Sequence, residues 1–150
     1  MSVDKDQQLN LKDLISQLRL ARDWLSRSLG QCQAIGLKQN YTADEFGHFE
    51  SLSSRFGRAG DLLVQRVYRS IDRVEFAEPG TLLDALNRAE KRGLIDSKEQ
   101  IREIKDLRNV IVHEYMPSGV IPIFEALFEK SAVLLDLIDR TIKYSEKLKL

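Results

Sequence analysis

An all-α fold, an antiparallel bundle of four long helices and a short one, is predicted by three features of the sequence. Apolar residues recur at three- and four-residue spacing, no stretch sustains period-two alternation, and caps and breakers separate the periodic runs. Asn10 is placed to cap a first helix through Leu11, Leu14, Ile15, Leu18, Ala21, Leu25 and Leu29, with Gly36 just past its last turn. Thr42 and Glu45 have capping-box spacing and open a long second helix through Phe46, Phe49, Leu52, Phe56, Leu63, Val67, Ile71 and Val74. Gly57 and Gly60 are places where it can bend, and Pro79-Gly80 breaks it. A short helix runs from Thr81 to Arg92 and stops at Gly93. Ser97 and Gln100 form a second capping box before a helix carrying Ile101, Ile104, Ile111 and Val112. Met116-Pro117 ends or bends that helix, because the residue before a proline is pushed out of the α region. Pro122 suits the first turn of a last helix through Phe124, Leu127, Phe128, Leu134, Leu135, Ile138 and Ile142.

With 150 residues, 43% hydrophobic and 31% charged, and no linker or repeat, residues 1–150 read as one domain with a substantial core. Lys plus Arg and Asp plus Glu both number 23, so no global positive field draws in nucleic acid; an RNA partner has to be met by a local patch. One cysteine and two histidines exclude a disulfide framework, a multi-cysteine zinc site and a histidine-rich metal centre, so neither metal nor cofactor is expected. No apolar run is long enough to span a membrane. The polar start, Met1 to Gln8, is not that of a signal peptide, and the expected compartment is cytoplasmic.

One segment departs from a plain bundle: Leu107-Arg108-Asn109-Val110-Ile111-Val112-His113-Glu114-Tyr115. At about 100° per residue, Ile101, Ile104, Arg108, Ile111, Val112 and Tyr115 share one face. Arg108 thus occupies an apolar stripe, where an unpaired guanidinium costs several kcal/mol. A carboxylate partner, a dimer groove open to water or an anionic ligand would each compensate. Asn109 and His113 are four residues apart and neighbours on one face, and the dipole at a helix C-terminus favours an imidazolium there. His113 lies roughly 140° around the helix from Arg108, so the two converge only if the helix unwinds beyond His113 or a second chain supplies one of them. Tyr115, taken alone, reads as a packing aromatic with its hydroxyl at the bundle rim.

The pattern Arg108-Asn109-x-x-x-His113-x-Tyr115 resembles the R-x4-H-x-Y motif of HEPN-domain ribonucleases, most closely the HepT toxins that are paired with MntA-type minimal nucleotidyltransferase antitoxins. The resemblance covers Phe46 to Tyr144 in helix order; residues 1–40 match only as a generic first helix. It implies a HEPN-like bundle and metal-independent cleavage of cellular RNA, tRNA by family analogy, at a composite site across a homodimer groove. Arg108, Asn109 and His113 would be catalytic. The partner would be an MntA-like nucleotidyltransferase that transfers AMP onto the Tyr115 hydroxyl. The residue types suit that chemistry: His113 can act as a base near neutral pH, and Arg108 is a permanently charged fork for phosphate oxygens. A non-catalytic HEPN module that binds a nucleotidyltransferase or nucleotide, and a plain helical interaction protein, are the competing readings. The intact histidine favours the nuclease over the first. The second leaves Arg108 in the apolar stripe unexplained.

On a uniform helix Arg55, Arg58, Arg66, Arg69 and Arg73 fall within about 80° of one another, a row suited either to an RNA backbone or to acids on a neighbouring helix. His48 reads as an exposed polar residue. Cys32 reads as buried packing, with no histidine near it in sequence.

Overall fold

The computed structural model describes residues 2–75, 80–113 and 120–150, apart from the side chains of residues 2–4, 113 and 120. Its elements are α1 (Ser2–Ile35), α2 (Ala43–Asp61), a π-helical segment (Leu62–Val67), α3 (Tyr68–Val74), α4 (Leu82–Lys91), α5 (Lys98–His113) and α6 (Val120–Lys147). No strand occurs among the described residues, so the fold class is all-α.

Polar contacts between helices fix their directions. Arg22 meets Asp139 at 2.7 Å and Arg19 meets Glu146 at 3.4 Å, which makes α1 and α6 antiparallel. Asn10 donates to Ser70, and Arg55 donates to Ser28, so α1 is also antiparallel to the run from α2 to α3. Lys130 with Glu103 at 2.5 Å and Arg140 with Asp96 at 2.7 Å set α5 antiparallel to α6. α2 and α6 run parallel across the bundle diagonal, where Phe49 stacks on Phe124 with centroids 4.1 Å apart. Between these helices lie fully buried Leu18, Leu25, Leu52, Phe56, Leu63, Ile71, Leu127 and Ile138. No helix of the described residues is long and apolar enough to cross a membrane.

The local signals explain most boundaries. Thr42 and Glu45 close the expected capping box at the start of α2. Thr81 closes another with Asp84 at the start of α4. Gly36 and Gly93 follow α1 and α4 with φ of 82° and 78°, a left-handed conformation that suits glycine. Leu94 N–H reaches the Ala89 carbonyl and Gly93 N–H that of Glu90, so two end carbonyls of α4 are satisfied. Gln100 turns back to Asp96, accepting from its backbone N–H at 2.8 Å, one residue beyond the expected Ser97. Pro122 lies in the first turn of α6 as expected. Pro79 and Met116-Pro117 lie outside the described residues.

Two expectations are corrected. Asn10 is not a cap: α1 already begins at Ser2, and Asn10 sits within it, donating its amide to Ser70 at 3.4 Å. Apolar periodicity marks where a helix becomes buried, and the exposed first turns of α1 continue beyond that mark. The second helix is not uniform either. Phe56, Gly60, Val64, Tyr68 and Asp72 are spaced by four and all buried. In a regular α-helix each such step drifts about 40°, or about 160° over the series. The π segment holds an extra residue per turn and absorbs much of that drift, keeping both halves against the core.

The turned second half has its own anchor. Asp72, 5% exposed, meets Arg88 at 3.2 Å and Arg92 at 2.5 Å, and Arg92 also meets Glu75 at 3.3 Å. A buried carboxylate needs such partners, and these tie α3 to α4.

Cys32 is fully buried on α1, and burial pushes its thiol up to about 11. It is thus protonated and shielded at neutral pH. We expect iodoacetamide at pH 7.5 to label Cys32 slowly in the native protein and to completion in denaturing urea, read by mass spectrometry. Rapid native labelling would contradict this packing.

Candidate functional site

α2 and α5 approach closely because α2 turns Gly57 and Gly60 toward α5. A Cβ at Gly60 would lie 3.4 Å from Ile104 Cγ2, and one at Gly57 would lie 3.6 Å from Arg108 Cγ and 3.9 Å from its Nε. The glycines serve this approach. The stem of Arg108 lies over Gly57, and its guanidinium meets Asp61, one helical turn further along α2, at 3.0 Å.

Asp61 is therefore the carboxylate partner of Arg108, and it was not identifiable from the sequence of α5 alone. Both side chains keep substantial exposure, 42% for Arg108 and 50% for Asp61. Such a pair is worth only about 0–1 kcal/mol. Arg108 thus stands at the edge of the apolar stripe, and the burial cost expected for a guanidinium inside it does not arise. The stripe itself is Ile101, Ile104 and Leu107, with Ile111 packed against the core beyond them. Val112, expected on that face, is 51% exposed, and its neighbour Val110 is 48% exposed.

Arg108 and Asn109 border a groove of about 350 Å³ between α2 and α5. Phe56, Val64, Ile101 and Ile104 give it an apolar floor; Gln65 and Lys105 are exposed at its rim, and Leu82 of α4 also lines it. The signal that could have located the groove is the order Gly57-x-x-Gly60-Asp61, which leaves one helix face bare beside a carboxylate.

His113 is the last residue of α5 as described, but its side chain, and Tyr115 altogether, lie outside the described residues. Arg108 and Asn109 are thus brought to one groove, while the positions of the imidazole and the phenol relative to them are not part of this geometry. His48, 40% exposed, stands 3.7 Å from Asp44 on the first turns of α2. Among the described residues no group of three or more His, Cys, Asp or Glu side chains is placed to hold a metal ion.

The arginine row is split. Arg55 turns to α1, where its guanidinium lies 4.7 Å from the centroid of Trp24 and bonds Ser28. Arg27 lies 5.5 Å from the same ring. Arg58 precedes the π segment and Arg66 lies within it, both exposed; Arg69, half-buried, and Arg73, exposed, follow it. The uniform spacing that aligned all five does not hold across Leu62–Val67.

No protein-family model, curated protein or solved structure matches this chain.

Proposed function

We propose that the chain is a metal-independent endoribonuclease of the HepT-like HEPN type. The reading rests on one observation above all: Arg108 offers a half-exposed guanidinium, with Asn109 beside it, at a groove on the same helix that carries His113. In the proposed reaction His113 takes the proton from a ribose 2′-hydroxyl, and the oxyanion attacks the adjacent phosphorus. The bond to the 5′-oxygen breaks, leaving a 2′,3′-cyclic phosphate and, after protonation, a 5′-hydroxyl. Arg108 carries the charge that grows on the non-bridging oxygens, and Asn109 orients the imidazole or the phosphate. One chain has one such histidine, so the proton for the leaving oxygen comes from His113 of a second copy across a two-fold groove. The half-exposed Val110 and Val112, which flank Ile111 just after Asn109, give that interface an apolar edge. Arg58, Arg66 and Arg73 would add phosphate contacts outside the groove. The substrate is proposed to be cellular RNA, tRNA by the family resemblance.

The test is to incubate the purified protein with cellular RNA in excess EDTA and to characterise the ends. Cleavage with 2′,3′-cyclic phosphate termini is expected; loss in EDTA with rescue by magnesium would refute the mechanism. Regulation is proposed through AMP transfer to Tyr115, whose added phosphodiester and nucleoside would repel and obstruct RNA. Tyr115→Phe is expected to retain cleavage and to take up no AMP from a cognate nucleotidyltransferase supplied with ATP, as measured by intact mass. Equal AMP incorporation in both proteins would assign the acceptor elsewhere.

A further inference from the structure

The groove between α2 and α5 has more in it than a phosphate contact needs. Its floor of Phe56, Val64, Ile101 and Ile104 is apolar. A flat ring can lie on such a floor at van der Waals distance. The exposed carboxamides of Gln65 and Asn109 stand at the rim, where they can donate to and accept from the edge of a heterocycle. Charge decides what accompanies the ring. Asp61 is neutralised by Arg108, so Lys105 is the uncompensated charge among the lining residues, and it is positive. At about 350 Å³ the groove lies at the small end of ligand sites, the size of one nucleotide and not of a packed helix.

We infer that this groove binds one unpaired nucleotide of single-stranded RNA, its base on the apolar floor of Phe56, Val64, Ile101 and Ile104 and its phosphate between Arg108 and Lys105. Asp61 holds the Arg108 fork at the groove mouth before RNA arrives. This subsite rests on the ribonuclease reading, and it adds a requirement that the reading lacks: the base must be unstacked, so the bound segment must be single-stranded.

The experiment measures binding without cleavage, by fluorescence anisotropy. The probes are a labelled random-sequence 2′-O-methyl octaribonucleotide and an abasic octamer of equal length and charge. Wild type is expected to bind the base-bearing probe about tenfold tighter or more, within the range of one favourable base contact. Gln65→Trp on the π-helical segment and Leu82→Trp on α4 each add an indole to the lining of the groove. At least one should abolish the preference while leaving affinity for the abasic octamer unchanged. A preference retained by both variants overturns the subsite, as does equal binding of the two probes by wild type. A shift of either variant from dimer to monomer in sedimentation would instead assign the groove to a second copy of the chain, and would also overturn it. The cleavage assay separates this from the parent reading. Base-selective binding without cleavage of natural RNA fails the nuclease alone, and cleavage with unselective binding fails the subsite alone.

Discussion

His113→Ala is expected to abolish RNA cleavage, lowering its rate by about 10²–10⁴-fold, the range for loss of a positioned general base. The thermal midpoint should be nearly unchanged, because His113 is the last described residue of α5 and follows the core positions Ile101, Ile104 and Leu107 in sequence. Arg108→Ala is the companion variant. In the proposed mechanism it removes a donor to the transition-state oxygens, and the expected effect is about 10²–10³ in rate. Its cost to folding should stay near or below about 1 kcal/mol, since the lost pair with Asp61 is half in solvent. That separation of rate from stability marks a functional arginine. Purified His113→Ala that cleaves at the wild-type rate would remove the acid–base role. Arg108→Ala that unfolds would show that the guanidinium serves the bundle instead.

The largest effect on folding is expected at Phe49. Its ring is fully buried, stacked on Phe124 at 4.1 Å and tilted against Tyr41 at 5.1 Å and Phe128 at 5.7 Å. Here the diagonal pair α2 and α6 meets the connection between α1 and α2. That connection is pinned by Tyr41, whose hydroxyl accepts from Lys38 N–H at 2.8 Å and donates to the Gly36 carbonyl at 3.3 Å. Phe49→Ala removes a ring from a site closed by other rings, and should cost about 3–5 kcal/mol in urea unfolding. Domains commonly have about 5–15 kcal/mol in total, so this is a large fraction. Phe49→Leu should recover much of the loss. A cost below about 1 kcal/mol for the alanine variant would mean that the rings are not packed in this way.

What was legible in the sequence was what neighbouring residues decide among themselves. Thr42 with Glu45, Gly36 and Gly93 act through backbone groups a few residues away, and their patterns translate directly into structure. Asn10 had the right chemistry for a cap, but its partner is Ser70 on another helix, and nothing in its local sequence says so. The π segment was half visible. Leu63, Val67 and Ile71 recur by four, which drifts on a regular helix, but Val74 follows Ile71 by three, which a regular helix accommodates. Where the extra residue goes depends on packing against α1 and α6. The same holds for the site: Arg108 stood out as a cation among apolar residues, whereas Asp61 and the glycines that let Arg108 and Ile104 approach come from α2 and meet it only when the bundle closes.

The π segment also sets how this chain can change length. Removing one residue between 62 and 67 would make the run regular and turn everything after it by about 100°. Asp72 would swing away from Arg88 and Arg92, while Asp61, upstream, would still face Arg108. The two ends of one continuous rod thus answer to separate constraints, the upstream end to the groove and the downstream end to α4. A one-residue gap in that stretch, compensated around Asp72, is the insertion or deletion that such a fold could fix during divergence without disturbing its groove.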